Sequence, residues 1–423
     1  MKISIRKVFW KVTVSIYRML LRVYTSWLNG RTILQLVGNF CFNCFFLCLW
    51  VVITQSAKRL PKSFRPHIYV KLDLRLDDYM FTSISGSMLT IYCLISGSWL
   101  LYLKFYSPRH IHHFWEVETS PYYSPSSDHS RSPDIEDKSA TFELEDMPKL
   151  QESIHPTNDS LIDRLNKHKD QKSMSHGHIS PPLLFGVSWF LLNFLFQFTE
   201  NTNSVKFIVA WLFYVVLYFI VPIITAHWLY LFHPPGALKL YAFAMGLQNV
   251  ASVMTHIVFP NAPPLYIHYY GETKVPDYDM IYADGLSKPG TRLPSTIYQS
   301  IYYANSNKFA AIPSIHSTTA VMTFLFVSYY SRNSVLKFLS FAFLLFEWWS
   351  TLYLEHHYRL DLFVGLIYSI CIYTFLIHWK KGFTKVDQDF IRARLKYDFI
   401  GGTTMGMRIF QNTRFQKFFD PLL

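Results

Sequence analysis

Apolar positions in this chain fall in long unbroken runs rather than in a helical or strand period. A helix needs about 20 apolar residues to cross the hydrocarbon of a bilayer. Eight runs meet that length: 33–54, 85–103, 181–198, 207–232, 240–259, about 309–330, 335–354 and 361–379. The first three carry no charged side chain, the next two contain only His227 and His256, and the last three keep acidic or other ionisable groups. The pattern predicts an all-α integral membrane protein with about eight transmembrane helices. No repeat of fixed period is present.

The intervals between the runs differ in kind. Residues 1–32 mix Lys2, Arg6, Lys7, Lys11, Arg18, Arg22 and Arg31 with Phe9, Trp10, Leu20, Leu21 and Trp27, a basic amphipathic stretch suited to a membrane surface. Residues 106–180 hold Ser-Pro and acidic clusters with few aromatics after Tyr123, and predict a disordered linker. The expected organisation is therefore a basic segment over 1–32, two spans within 33–105, a linker over 106–180, a six-helix membrane domain over 181–380 and a basic tail over 381–423. Lys and Arg collect at residues 1–31 and 380–417, which places both termini in the cytosol, the linker with them, and loops 260–308 and 355–360 in the lumen. One signal disagrees: loop 55–84, luminal on this threading, carries Lys58, Arg59, Lys62, Arg65, Lys71 and Arg75.

Composition narrows the classes further. Half of the residues are hydrophobic (51%) and only 16% are charged, too few for a soluble surface or for disorder throughout. The net charge of +12 flanks apolar runs, so membrane topology explains it and nucleic acid is not expected as a partner. All five cysteines sit in apolar runs, where thiols pack as small hydrophobes.

Ionisable groups near membrane spans are costly and therefore candidates for function. Pro313-Ser314-Ile315-His316 opens the sixth run, and His357-Tyr358-Arg359-Leu360-Asp361 opens the eighth. Four residues apart on one helix face, Asp361 can hold one ring nitrogen of His357 and leave the other with a free lone pair. His316, from another helix, supplies a proton donor for a departing oxygen. That combination suits phosphoryl transfer without a metal or cofactor.

These residues resemble the signature motifs of the type 2 phosphatidic acid phosphatase superfamily, whose six-helix membrane fold uses a phosphohistidine intermediate. Runs three to eight would form that bundle. The phosphatase pattern has Arg directly after a serine where this chain has Ser350-Thr351, and its basic first motif is replaced by Phe259-Pro260-Asn261-Ala262-Pro263-Pro264. With those departures the chain resembles the fungal inositol phosphorylceramide synthase family, in residues 241–264 and 312–317 and in Trp348-Trp349-Ser350-Thr351-Leu352-Tyr353-Leu354 followed by His356-His357-Tyr358. Gln248-Asn249-Val250-Ala251 with Thr255-His256, Arg359, and the tail Gly406-Met407-Arg408-Ile409-Phe410 ending Phe418-Phe419-Asp420-Pro421-Leu422 resemble the branch that adds a second inositol phosphate to a mannosylated acceptor. The resemblance covers about 181–422; the first 80 residues have no clear counterpart.

The resemblance implies that His357 attacks the phosphorus of phosphatidylinositol, Asp361 orients it, and His316 protonates the leaving diacylglycerol and then deprotonates a sugar hydroxyl of a mannosylated inositol phosphorylceramide. It implies a Golgi membrane enzyme with its site facing the lumen, surrounded by membrane lipids and with room for an accessory subunit. Lys288 is the first candidate to neutralise the phosphate, with Arg292, Arg359 and Ser314 beside it. Glu347 reads as a satisfied structural acid, and His356 as pointing about 100° away from His357 on a helix. His112-His113 and His176-Gly177-His178 resemble metal tracts but read as solvated, and Asn158-Asp159-Ser160 as an unused glycosylation acceptor. Three rivals remain: an inositol phosphorylceramide synthase acting on ceramide, a lipid phosphate phosphatase, against which Thr351 argues, and a polytopic transporter, against which the triad at one membrane face argues. In sealed vesicles a tag within 120–170 is expected to be open to protease from the cytosolic side and one within 265–300 to be protected; the reverse pattern would invert the site's compartment.

Overall fold

A computed structural model describes residues 5–28, 32–57, 61–106, 181–200, 203–278, 280, 308–378, 382–396 and 398–421. The predicted linker, its histidine tracts and Asn158 lie outside the described residues, as do Lys288 and Arg292. Residues 1–105 and 177–423 belong to one compact unit, so the N-terminal helices and the tail pack with the bundle.

In chain order the helices are α1 (Ile5–Leu28), α2 (Ile33–Asn43), α3 (Phe45–Ala57), α4 (Lys71–Phe81), α5 (Ile84–Leu101), α6 (Pro181–Gln197), α7 (Ser204–Phe232), α8 (Ala237–Val258), α9 (Pro264–Tyr270), α10 (Ile315–Tyr330), α11 (Ser334–Tyr353), α12 (Arg359–His378), α13 (Gly382–Leu395) and α14 (Met405–Ile409). Among the described residues the only extended pairing is two isolated bridges, Tyr69 to Asn261 and Asn261 to Ala310. The protein is an all-α, multi-pass membrane protein. Four helices are long and apolar enough to cross a bilayer by themselves: α5 with its short extension, α7, α11 and α12. The first predicted span is broken at Cys44 into α2 and α3, bent by 64°, and counts as a fifth only if the bent pair crosses together.

Side-chain caps set many of the boundaries. The Ser83 hydroxyl accepts the Gly86 N–H at α5, Asn203 accepts Val205 N–H at α7, and Asn333 accepts Val335 N–H at α11. At α10 the Ser314 hydroxyl accepts the Ser317 N–H, so the helix begins at Ile315 and the apolar stretch 309–314 stays outside it. α7 ends before Pro234-Pro235, and Gly236 takes φ of 119°, a left-handed conformation that suits glycine, with Val386 packed where a side chain would project.

α10 is the axis of the bundle, buried along nearly its whole length between α7, α8, α11 and α12. Ser317 knots three helices: its hydroxyl donates to the Leu362 carbonyl (2.7 Å) on α12 and accepts from Trp348 Nε1 (2.9 Å) on α11. The close approach of α10 and α12 needs a residue without a side chain. A Cβ on Gly365 would lie 2.8 Å from both the Ser314 carbonyl oxygen and the Ser317 Cβ. Gly365→Ala is therefore expected to destabilise the protein by about 1–3 kcal/mol, the usual effect of overpacking, read as a lower melting temperature in detergent.

Candidate active site

His357 stands in the turn between α11 and α12 rather than on a helix. Asp361 sits in the first turn of α12, where its Oδ2 accepts the Tyr358 backbone N–H at 2.8 Å, as an acid at the third helical position does when it caps a helix start. The same Oδ2 faces His357 Nδ1 at 3.3 Å. The pairing predicted from spacing is present, but a helix cap produces it instead of a shared helical face. Asp361 is fully buried and His357 8% exposed. Burial holds the His357 pKa down to about 4, only partly offset by a ring hydrogen bond to the Ala311 backbone, so the imidazole is neutral at physiological pH.

His316, in the first turn of α10, lies with its ring 6.0 Å from that of His357. Tyr214 and Tyr218 of α7 pack on it, each with ring centroids 4.2 Å away, and the Tyr214 backbone hydrogen-bonds the ring. Tyr214 belongs to a π-helical stretch, Leu212–Leu217, shortly before Pro222; this local widening of α7 turns Tyr214 inward. Tyr214 also stacks on His356 at 4.8 Å, so one aromatic ring lies between two histidines. His356, like His357, is in the turn, not a helix.

Residues away from the predicted triad complete the frame. His256 of α8 hydrogen-bonds the Pro313 carbonyl through Nε2 at 2.8 Å, and the Ser314 N–H donates to the Asp361 carbonyl at 3.1 Å. The segment that delivers His316 is thus fixed from both α8 and α12. Ser314 is a buried cap, not an open phosphate ligand. Ser350 and Thr351 are fully buried and hydrogen-bond carbonyls of their own helix, so the position where phosphatases carry Arg faces the bundle interior. Glu347 corrects the expectation of a satisfied acid: it is fully buried and neither carboxyl oxygen has a hydrogen-bond partner.

Arg359 is the largest correction. The resemblance makes it a candidate to neutralise the phosphate. In the structure it is 7% exposed: Nε and Nη2 donate to Asp77 Oδ2 (3.1 and 2.8 Å), Nη1 to Asn193 Oδ1 (2.9 Å), Nη2 also to Thr82, and the guanidinium lies over the rings of Phe81 and Phe196. Its donors are committed to α4 and α6. Asp77 Oδ1 in turn accepts the Leu360 N–H at 2.9 Å, so α4 caps α12 as well. The signal for this is in loop 55–84, which carries Asp73, Asp77 and Asp78 among its basic residues.

Comparison with known proteins fits this geometry. Residues 186–375 match the model of the PAP2 superfamily, an interval that contains His316, His357 and Asp361. The chain carries a PAP2 superfamily domain. It is similar to Inositolphosphotransferase 1 of Saccharomyces cerevisiae, at 23% identity over 95% of this chain and 97% of that protein. Similarity to the Inositol phosphorylceramide synthase of Candida albicans (34%) covers 41% of this chain and 36% of that one; to the Inositol phosphorylceramide synthase catalytic subunit AUR1 of S. cerevisiae (39%), 41% and 43%. No solved structure matches. The first 80 residues, which seemed to lack a counterpart, are largely within the first of these similarities. Among the described residues no group of three or more His, Cys, Asp or Glu is placed to hold a metal ion.

The PAP2 domain thus receives one partner of a buried ion pair, Asp77, from outside its own limits. Asp77→Ala would leave a buried guanidinium without its charge partner and is expected to cost about 3–5 kcal/mol, read as a lower melting temperature in detergent. The double variant Asp77→Leu with Arg359→Met should recover most of that loss. An Arg359 that instead bound substrate would leave the melting temperature of Asp77→Ala near wild type.

Proposed function

We propose that this protein moves inositol phosphate from phosphatidylinositol to a mannosylated inositol phosphorylceramide and releases diacylglycerol. The observation that carries this reading is the extent of similarity to Inositolphosphotransferase 1, nearly end to end in both chains, whereas the ceramide-named relatives match only about two fifths of this one.

His357, neutral and held by Asp361 at Nδ1, attacks phosphorus with its other ring nitrogen; the phosphorus–oxygen bond to diacylglycerol breaks, and His316 gives the leaving oxygen a proton. The resulting phosphohistidine carries positive charge on the ring, which the Asp361 carboxylate stabilises. His316 then takes the proton of an acceptor hydroxyl, which attacks phosphorus and frees His357. Lys288 and Arg292 are the candidates to neutralise the phosphate oxygens. With Arg359 buried against Asp77, recognition of the acceptor's own phosphate falls to the same loop. The reading places the enzyme in the Golgi membrane with this site facing the lumen, where an accessory subunit could join it.

The deciding assay supplies labelled phosphatidylinositol with ceramide and its mannosylated inositol phosphate derivative as competing acceptors. Label in the mannosylated product is expected; label only in the ceramide product would make the protein an inositol phosphorylceramide synthase, and free phosphate a phosphatase. His357→Ala and His316→Ala should each lower transfer by at least about 10²–10⁴-fold at unchanged protein level. Asp361→Ala also removes a helix cap, so Asp361→Asn is the cleaner variant and should retain more activity. Because His357 is neutral down to about pH 4, its protonation should not produce an acid limb at the ordinary imidazole value near 6.5. An acid limb at 6.5 that His357 substitution alone accounts for would overturn the buried-nucleophile assignment.

A further inference from the structure

Asp73, one turn before Asp77 on α4, is fully buried, and neither of its carboxyl oxygens has a hydrogen-bond partner. Residues four apart share a helix face, so both acids look toward the start of α12, against which α4 packs. There Asp361 is fully buried too. Its Oδ2 serves Tyr358 and His357, whereas its Oδ1 has no partner. Three buried carboxyl oxygens without a donor cannot belong to two ionised acids at low cost; one shared proton relieves both the desolvation and the repulsion.

The neighbouring charges do not remove the need for it. Arg359 is committed to Asp77, Lys71 points outward to Glu272 (3.7 Å), and Arg75 is exposed. The remaining titratable groups near the cluster are His357, which is neutral, and the Tyr358 hydroxyl, which is buried without a partner. Burial, then the charges of Asp361 and Asp77, raise the Asp73 pKa to about 8.

Resting on the transferase reading above, we propose that Asp73 is a positioning residue whose carboxyl proton is donated to the free Oδ1 of Asp361, fixing Asp361 as the single anion behind His357. Asp73 lies outside residues 186–375, so the group that sets the charge state of the nucleophile's partner comes from outside the PAP2 domain.

Two substitutions separate donor from charge. Asp73→Asn keeps a donor and cannot ionise; Asp73→Leu has similar size and no donor. At pH 7 the Asn variant should retain most of the wild-type turnover. The Leu variant should lose about 10- to 100-fold in kcat, the worth of a hydrogen bond to a charged group, with KM for phosphatidylinositol little changed. Wild-type turnover should decline as Asp73 ionises near pH 8, and the Asn variant should hold its rate to higher pH.

A melting series in detergent from pH 5 to 9 reads the proton without the reaction. Folded Asp73 keeps its proton up to about pH 8 and the unfolded chain only to about 4, so the folded state binds more protons in that window and this contribution to stability is lost as pH rises through it. The melting temperature of the Asn variant relative to wild type should therefore climb up to about pH 8 and then level. Parallel melting of the two proteins overturns the inference, as does an Asn variant as slow as the Leu variant. The diverging melting curves together with no inositol phosphate transfer by wild type would remove the functional reading and leave the carboxyl pair standing. Should Asp73→Leu fail to fold, the Asn comparison decides alone.

Discussion

The carboxylate of Asp361 is the constraint around which the site is built. A buried carboxyl group at the start of a membrane helix is costly unless hydrogen bonds compensate it. Here one oxygen does two tasks: it accepts the Tyr358 N–H that begins α12 and it faces His357. Folding the helix start and orienting His357 are therefore one interaction. His357 does not depend on a flexible loop for its orientation, because the turn that carries it is tied to the helix whose first residues it precedes.

Everything adjacent restrains that point from a different direction. Ser317 binds α10 to α11 and α12 just below His316, Gly365 lets α10 and α12 approach, and His256 holds the carbonyl that precedes Ser314. The two histidines come from segments 41 positions apart, yet both are fixed to a common rigid core rather than to each other. Their rings lie 6.0 Å apart, a separation that suits the proposed roles of attacking nitrogen and proton donor on opposite sides of one reacting centre.

The apolar runs and the His316, His357 and Asp361 set were legible from the sequence, because run length and the i, i+4 spacing are local properties. What was not legible depends on which segments meet. Arg359 reads as an exposed base in any loop that faces water; only the arrival of Asp77 from 282 residues away makes it a buried partner. Glu347 shows the same limit in reverse: it reads as a satisfied acid, but it and its neighbour Trp348 are fully buried and neither of its carboxyl oxygens has a hydrogen-bond partner. The break at Cys44 has no proline or glycine beside it to announce it, and the π-helical turn at Tyr214 is set by packing on His316 as much as by Pro222.

In the basic loop that disagrees with the threading of the spans, Lys71 and Arg75 have a structural explanation that does not involve topology. Its acids are needed where they are: Asp77 compensates Arg359 and caps Leu360, and Asp73 stands one turn away from it. On α4 the basic neighbours Lys71 and Arg75 sit on the opposite, wetter face, half-exposed or exposed. A positive-charge count reads those residues as a cytosolic signal, but an amphipathic helix with a buried acidic face must carry its solubilising charges on the other side whichever compartment it occupies. Residues before the PAP2 match supply partners to the first turn of α12, so the two stretches fold together.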